Sequence, residues 1–203
     1  MHKILKILST LIIVAAAPVF AQAPPPLDPD PGADLIITAT NPGAGKLTVS
    51  TAGWEDGADI PFEYTQYESN TFPGLSWSAG PAATQSYVII MQDSGFVARG
   101  SPVLHWSMVN IPASVTQLSA GMKAEEKPAG AIYGPNYRGT NQPYLGPRTP
   151  PGPKHRYHMQ VLALDTQLPA DFAPKNYAEL IAPLEGHVLA SGAVIGLGQA
   201  KPK

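Results

Sequence analysis

The chain has 203 residues, a formal net charge of −2, no cysteine, and only 14% charged residues with no basic stripe. That balance excludes nucleic-acid binding, and the missing thiols exclude disulfides, thiolate metal sites and cysteine catalysis, so burial has to hold the fold together. With 23 prolines and 19 glycines beside 44% hydrophobic residues, the composition points to a loop-rich β domain with proline-stiffened connections.

Met1 to Ala23 reads as a signal peptide. Lys3 and Lys6 form its basic start and Ile7 to Val19 its apolar stretch, too short for a membrane span. Cleavage is expected near Ala21 or Ala23, giving a periplasmic or secreted protein with no transmembrane span in the mature chain. Residues 24–33 are a proline-rich tether, with APPPLDPDP running from Ala23 to Pro31. One domain is expected over residues 34–200.

Asp34 to Thr40 and Lys46 to Ser50 read as strands around the turn Asn41-Pro42-Gly43. Trp54 to Phe62 is polar and turn-like, and Gly74 to Ser78 is a short alternating strand. Ser86 to Met91 (SYVIIM) is a continuous apolar run, the pattern of a strand buried on both faces. His105 to Ile111 (HWSMVNI) alternates, which predicts His105, Ser107 and Val109 on one face and Trp106, Met108 and Asn110 on the other. Val115 to Ala129 reads as loop. Arg156 to Leu164 is the third core strand. Asn176 to His187 has helical spacing at Leu180, Ile181 and Leu184, and Pro183 predicts a short helix before it and a second turn after it. Val188 to Leu197 closes the chain as a small-residue strand.

Three polar side chains stand at the ends of core strands. Asp93 follows SYVIIMQ, His105 opens HWSMVNI, and His155 opens HRYHMQVLALD, where period-two alternation puts Tyr157 on its face and Arg156 and His158 on the opposite one. If the strands are neighbours, a carboxylate and two imidazoles meet at one edge, beneath the stiff loop that ends in Pro150-Pro151-Gly152. Such a group can hydrogen-bond a phosphate or a carboxylic acid, with Asp93 orienting an imidazole or keeping it charged. The same three residues have the composition of a two-histidine, one-carboxylate metal site or of a hydrolase, but without tight ligand spacing. Asp93 also reads as the cap of the Ser94-Gly95 turn, and His105 as a core histidine. His187 reads as a helix-end residue, His158 as structural, and Trp54 and Trp77 as packing residues. No G-x-S-x-G elbow, phosphate-binding loop or dinucleotide fingerprint is present.

Taken together, these segments resemble the phosphatidylethanolamine-binding protein family, and within it the bacterial YbhB/YbcL-type, Raf kinase inhibitor-like branch. The resemblance runs from about Leu47 to Gly198. It rests on Asp93 after an apolar strand, on HWSMVNIP from His105 to Pro112, and on GPNYRG from Gly134 to Gly139. It rests further on YLGPRTPPG from Tyr144 to Gly152 followed by His155-Arg156-Tyr157, and on the closing GHVLASGAVIG. The family's D-P-D-x-P segment reads Asp93-Ser94-Gly95-Phe96-Val97, with Gly95 at the second Asp position and both prolines replaced.

The resemblance implies a mainly β fold, with a central antiparallel sheet packed on a smaller second sheet and a few peripheral helices. It implies a non-enzymatic pocket for phosphate-like or carboxylate anions or phospholipid head groups, with no cofactor and no metal. Carried over position by position, that pocket uses Asp93, His105, Pro150, His155 and Tyr157. Arg99 and Arg148 read as solvated loop residues that could add charge. A protein partner, as of a protease or kinase inhibitor, is the alternative use of the same fold.

Overall fold

A computed structural model describes residue 32 and residues 45–98 and 100–202. The expected signal peptide, the predicted strand Asp34–Thr40 and Arg99 lie outside the described residues, as does the tether except Gly32. The chain folds mainly into strands: β1 (Gly45–Lys46), β2 (Val49–Ser50), β3 (Leu75–Trp77), β4 (Ser86–Ala98), β5 (Ser101–Pro112), β6 (Gln117–Leu118), β7 (Ile132–Tyr133), β8 (His155–Leu164) and β9 (Val188–Gly198). One α-helix, α1 (Tyr177–Ile181), and three-residue 3-10 turns complete the described elements.

Six strands form the large sheet in the order β1-β9-β8-β4-β5-β7, and β2-β3-β6 form the small one. The large sheet is antiparallel except where β1 joins β9 in parallel. The stretch predicted as one strand, Lys46 to Ser50, is therefore two, because it leaves the large sheet at Lys46 and enters the small one at Val49. Leu47 between them is buried and donates its amide to the Ser191 carbonyl. Within the predicted loop Val115–Ala129, Gln117–Leu118 pair with β3.

The apolar run of β4 is buried on both faces, as continuous hydrophobic patterning requires. One face, with Tyr87, Ile89 and Met91, packs with Trp106, Met108, Tyr157, Met159 and Val161 and with Leu75, Trp77 and Leu118 of the small sheet. The other, with Val88 and Ile90, packs with Leu104, Val109, Leu162 and Leu164 beneath Leu180 and Leu184. Leu180 sits in α1 and Leu184 in the 3-10 turn Ala182–Leu184, so the break around Pro183 falls where the sequence puts it. The side chain of Asn176 caps the helix by accepting from the Glu179 amide at 3.0 Å.

Two irregularities in β5 re-aim its side chains. Met91 pairs with Trp106 while Gln92 pairs with Leu104, so one extra residue bulges beside His105. His105 and Trp106 consequently turn toward the same side of the sheet: Trp106 joins the Met91 face, and the His105 ring meets Tyr157 edge-on at 5.1 Å between centroids. The expected grouping of His105 with Val109 fails for this reason, since Val109 faces the opposite core. A second extra residue lies between Met108 and Ile111, where Asn110 takes φ 56°. Its side chain accepts from the Leu168 amide and donates to the Leu168 carbonyl, both at 2.8 Å.

Asn110→Ala removes both bonds and puts a Cβ-bearing residue without a local partner in the left-handed region. A loss of about 2 kcal/mol in denaturant unfolding is expected, with a smaller loss for Asn110→Gly, which tolerates that backbone. Equal losses for the two variants would show that the positive φ carries no strain.

Candidate functional site

The β4–β8 register sets Asp93 opposite Tyr157, and His155 lies two residues further along the same face. Across that diagonal, Nδ1 of His155 donates to Oδ2 of Asp93 at 2.8 Å. Both side chains are nearly buried, with 12% and 7% exposure. On its other edge β4 pairs Asp93 with Val103, and the bulge in β5 swings His105 in beside them. Two strand neighbours of β4 thus deliver the second imidazole and the phenol to one carboxylate.

The loop from Tyr144 to Gly152 closes over this edge. The carbonyls of Leu145 and Gly146 both face Nδ1 of His105, at 3.2 and 3.1 Å. A carbonyl only accepts, so the His105 proton sits on Nδ1 and its Nε2 carries a lone pair. Burial, the largest influence, holds the His105 pKa below its ordinary value, overriding the opposite pull of Asp93 and the two carbonyls. The Tyr157 hydroxyl lies 3.0 Å from Oγ1 of buried Thr149. Burial and then the negative charge of Asp93 push the phenol's pKa up, so it stays protonated. Oδ1 of Asp93 is buried and has no hydrogen-bond partner among the described residues.

These groups border a cavity of about 410 Å³. All five residues singled out from the sequence, Asp93, His105, Pro150, His155 and Tyr157, lie on its wall, joined by Phe96, Val103, Tyr137 and Arg148. Arg148 is exposed, as a loop arginine is expected to be, yet reaches the cavity. Among the described residues no group of three or more His, Asp or Glu side chains is arranged to hold a metal ion. His158 points to the far side, where its Nε2 lies 2.9 Å from Oγ of Ser94. His187 pairs with Asp165 at the surface, 2.7 Å away. Trp54 and Trp77 belong to the core, against Tyr64 and Tyr87.

The segment Asp93–Val97 is an outward loop of β4: Asp93 pairs with Val103 and Val97 with Pro102, leaving residues 94–96 unpaired by β5. Gly95 within it presses on His155, and a Cβ there would stand 2.8 to 2.9 Å from the histidine's Cα, Cβ and Cγ. Glycine at this position is what lets the wall lie flat against the imidazole. Phe96, 55% exposed, stands at the rim beside it.

Sequence reasoning missed Tyr137, Thr149 and Val103. Tyr137 sits in the quoted GPNYRG segment, whose Tyr137 amide donates to the Leu104 carbonyl at 2.8 Å and so brings the ring within 5.1 Å of His105. A tyrosine inside a glycine-bounded turn was the available signal. Thr149 was legible as the one aliphatic hydroxyl of the loop, whereas Val103 carried no distinguishing pattern.

A family model described as phosphatidylethanolamine-binding protein matches residues 50–199. A protein named UPF0098 from Methanothermobacter thermautotrophicus is 35% identical over 153 residues, covering 74% of this chain and 97% of that protein. The UPF0098 protein YbcL of Escherichia coli is 40% identical over 110 residues, covering 50% of this chain and 57% of that protein. The crystal structure of YbcL, presented as a new member of the mammalian PEBP family, superposes with a TM-score of 0.67 at 26% identity, over 77% of this chain and 100% of that one.

The neutral, buried state of His105 has a consequence for stability. The unfolded chain protonates this residue near 6.5 and the folded chain only at lower pH. Its contribution to stability is therefore complete above about 6.5 and is lost as pH falls from there through the lowered value. Denaturant unfolding between about pH 7.5 and about pH 5 is expected to show this loss, and His105→Gln to reduce its slope. An unaltered slope in the variant would contradict the assignment.

Proposed function

The chain belongs to the phosphatidylethanolamine-binding protein family, and from that membership we propose that it is an exported, non-enzymatic protein that binds a small oxyanion. The ligand is phosphate-like or a carboxylate, or the phosphoryl head of an amphiphile. The observation that carries the reading is the pairing of Asp93 with His155 beside His105 and Tyr157 on the wall of one open cavity. The buried carboxylate fixes the His155 ring through Nδ1, leaving Nε2 to meet the anion. Tyr157, held protonated, adds a hydroxyl, and Arg148 adds positive charge at the mouth. Pro150 shapes the wall and contributes no polar group. Each charge-assisted bond formed out of water is worth about 1.5–3 kcal/mol.

The exposed rings of Phe96 and Tyr137 flank the same cavity, at 55% and 47% exposure. They suit the apolar part of an amphiphile, and they also favour a second reading in which this rim docks a protein partner. Export rests on the basic and apolar start of the sequence, and mass spectrometry of the mature protein should find it to begin after Ala21 or Ala23.

Isothermal titration with phosphate provides the test. His155→Ala and His105→Ala are each expected to weaken binding about tenfold or more. Affinity unchanged in both variants would discard the anion reading and bring the partner reading forward.

A further inference from the structure

Both imidazoles of the cavity spend the same nitrogen on the protein. Nδ1 of His155 is committed to Asp93, and Nδ1 of His105 to the carbonyls of Leu145 and Gly146. Their Nε2 atoms are what remains for a ligand, and on neutral His105 that atom is an acceptor. The charged and titratable groups facing His105 are Asp93 from β4, His155 and Tyr157 from β8, and Tyr137 and Arg148 from the loops. Of these, Asp93 is a buried anion with one oxygen unpartnered among the described residues.

A fully ionised oxyanion brought to Nε2 of His105 sets acceptor against acceptor, close to a carboxylate. An oxyanion carrying a proton forms a hydrogen bond there instead. Resting on the anion-pocket reading, we propose that the site selects oxyanions that bring or take up a proton: phosphate and phosphate monoesters, over sulfate and over phosphodiesters. Nε2 of His105 is the atom that reads the proton, and Asp93 enforces the choice electrostatically. Inorganic phosphate keeps a P–OH throughout the neutral range. A monoester, with a second pKa of about 6, acquires one from solvent. Sulfate and a phosphodiester have none to give, so a free phosphomonoester head group is accepted where the intact lipid linkage is refused.

The test is calorimetric titration of the full chain near neutral pH with four probes: phosphate, phosphoethanolamine, sulfate and glycerophosphoethanolamine. Two buffers of different ionisation heat are used for each. Phosphate and phosphoethanolamine are expected to bind at least about tenfold more tightly than the other two, the effect of one buried polar group left unpaired. Phosphoethanolamine binding should take up about one proton, because most of the monoester is a dianion above its second pKa. Asp93→Asn keeps an acceptor for His155 and removes the charge, so the preference for phosphate over sulfate should shrink. Equal binding of all four probes, with heats independent of buffer, overturns the proton rule and leaves the anion pocket standing. Binding of none overturns both. The wild-type comparison decides the matter even where the variant fails to fold.

Discussion

The contact between Asp93 and His155 is the constraint on which the site depends. A carboxylate at this depth, 5% exposed, is costly unless a cation or a set of donors meets it. His155 meets it at 2.8 Å, and only because β4 and β8 pair in the register that sets Asp93 opposite Tyr157. A slip of β8 by one residue would turn His155 and Tyr157 to the opposite face, away from Asp93. The long apolar stretches of β4 and β8 hold that register, so the core chemistry of the fold is also what aims the Asp93–His155 contact. Once fixed, the pair decides the remaining electrostatics: Asp93 adds to the burial that keeps Tyr157 protonated, and it pulls against the burial that keeps His105 neutral.

Around this pair the sheet departs from regularity. β5 carries an extra residue at His105, and β4 loops outward over residues 94–96. Regular alternation would have sent Trp106 and His105 to opposite faces. The bulge lets one fill the core while the other reaches the cavity beside it, so a single strand serves both packing and site. Gly95 is the complementary device, since the loop can lie against His155 only where no Cβ intervenes.

Much of this was legible in the sequence, for physical reasons. The four long strands of the large sheet were legible, β4 through its continuous apolar run and β5 through alternation, whereas the two-residue β7 was not, and Pro183 showed through its effect on helical spacing. The His155-Arg156-Tyr157 junction gave the correct faces because β8 is regular: Tyr157 looks into the cavity and His158 toward Ser94. β5 defeated the same rule, because a bulge leaves no trace in an alternating pattern. The division of Lys46 to Ser50 between two sheets was equally hidden, being set by which strand each dipeptide meets. Tyr137 and Thr149 lie in loops whose course is fixed by hydrogen bonds to distant strands, and spacing along the chain carries no information about those. Strand ends already grouped Asp93, His105 and His155, and the resemblance to the family favoured anion binding over the metal and hydrolytic chemistry that local patterns left open.

The most direct measurement is nitrogen NMR of the histidine rings, free and with phosphate added. The account requires Nδ1 of His105 to be protonated and its Nε2 unprotonated in the free protein, with both Nε2 resonances of His105 and His155 moving saturably as phosphate binds. A His105 ring protonated at Nε2 instead, or resonances of both rings that ignore phosphate, would contradict it.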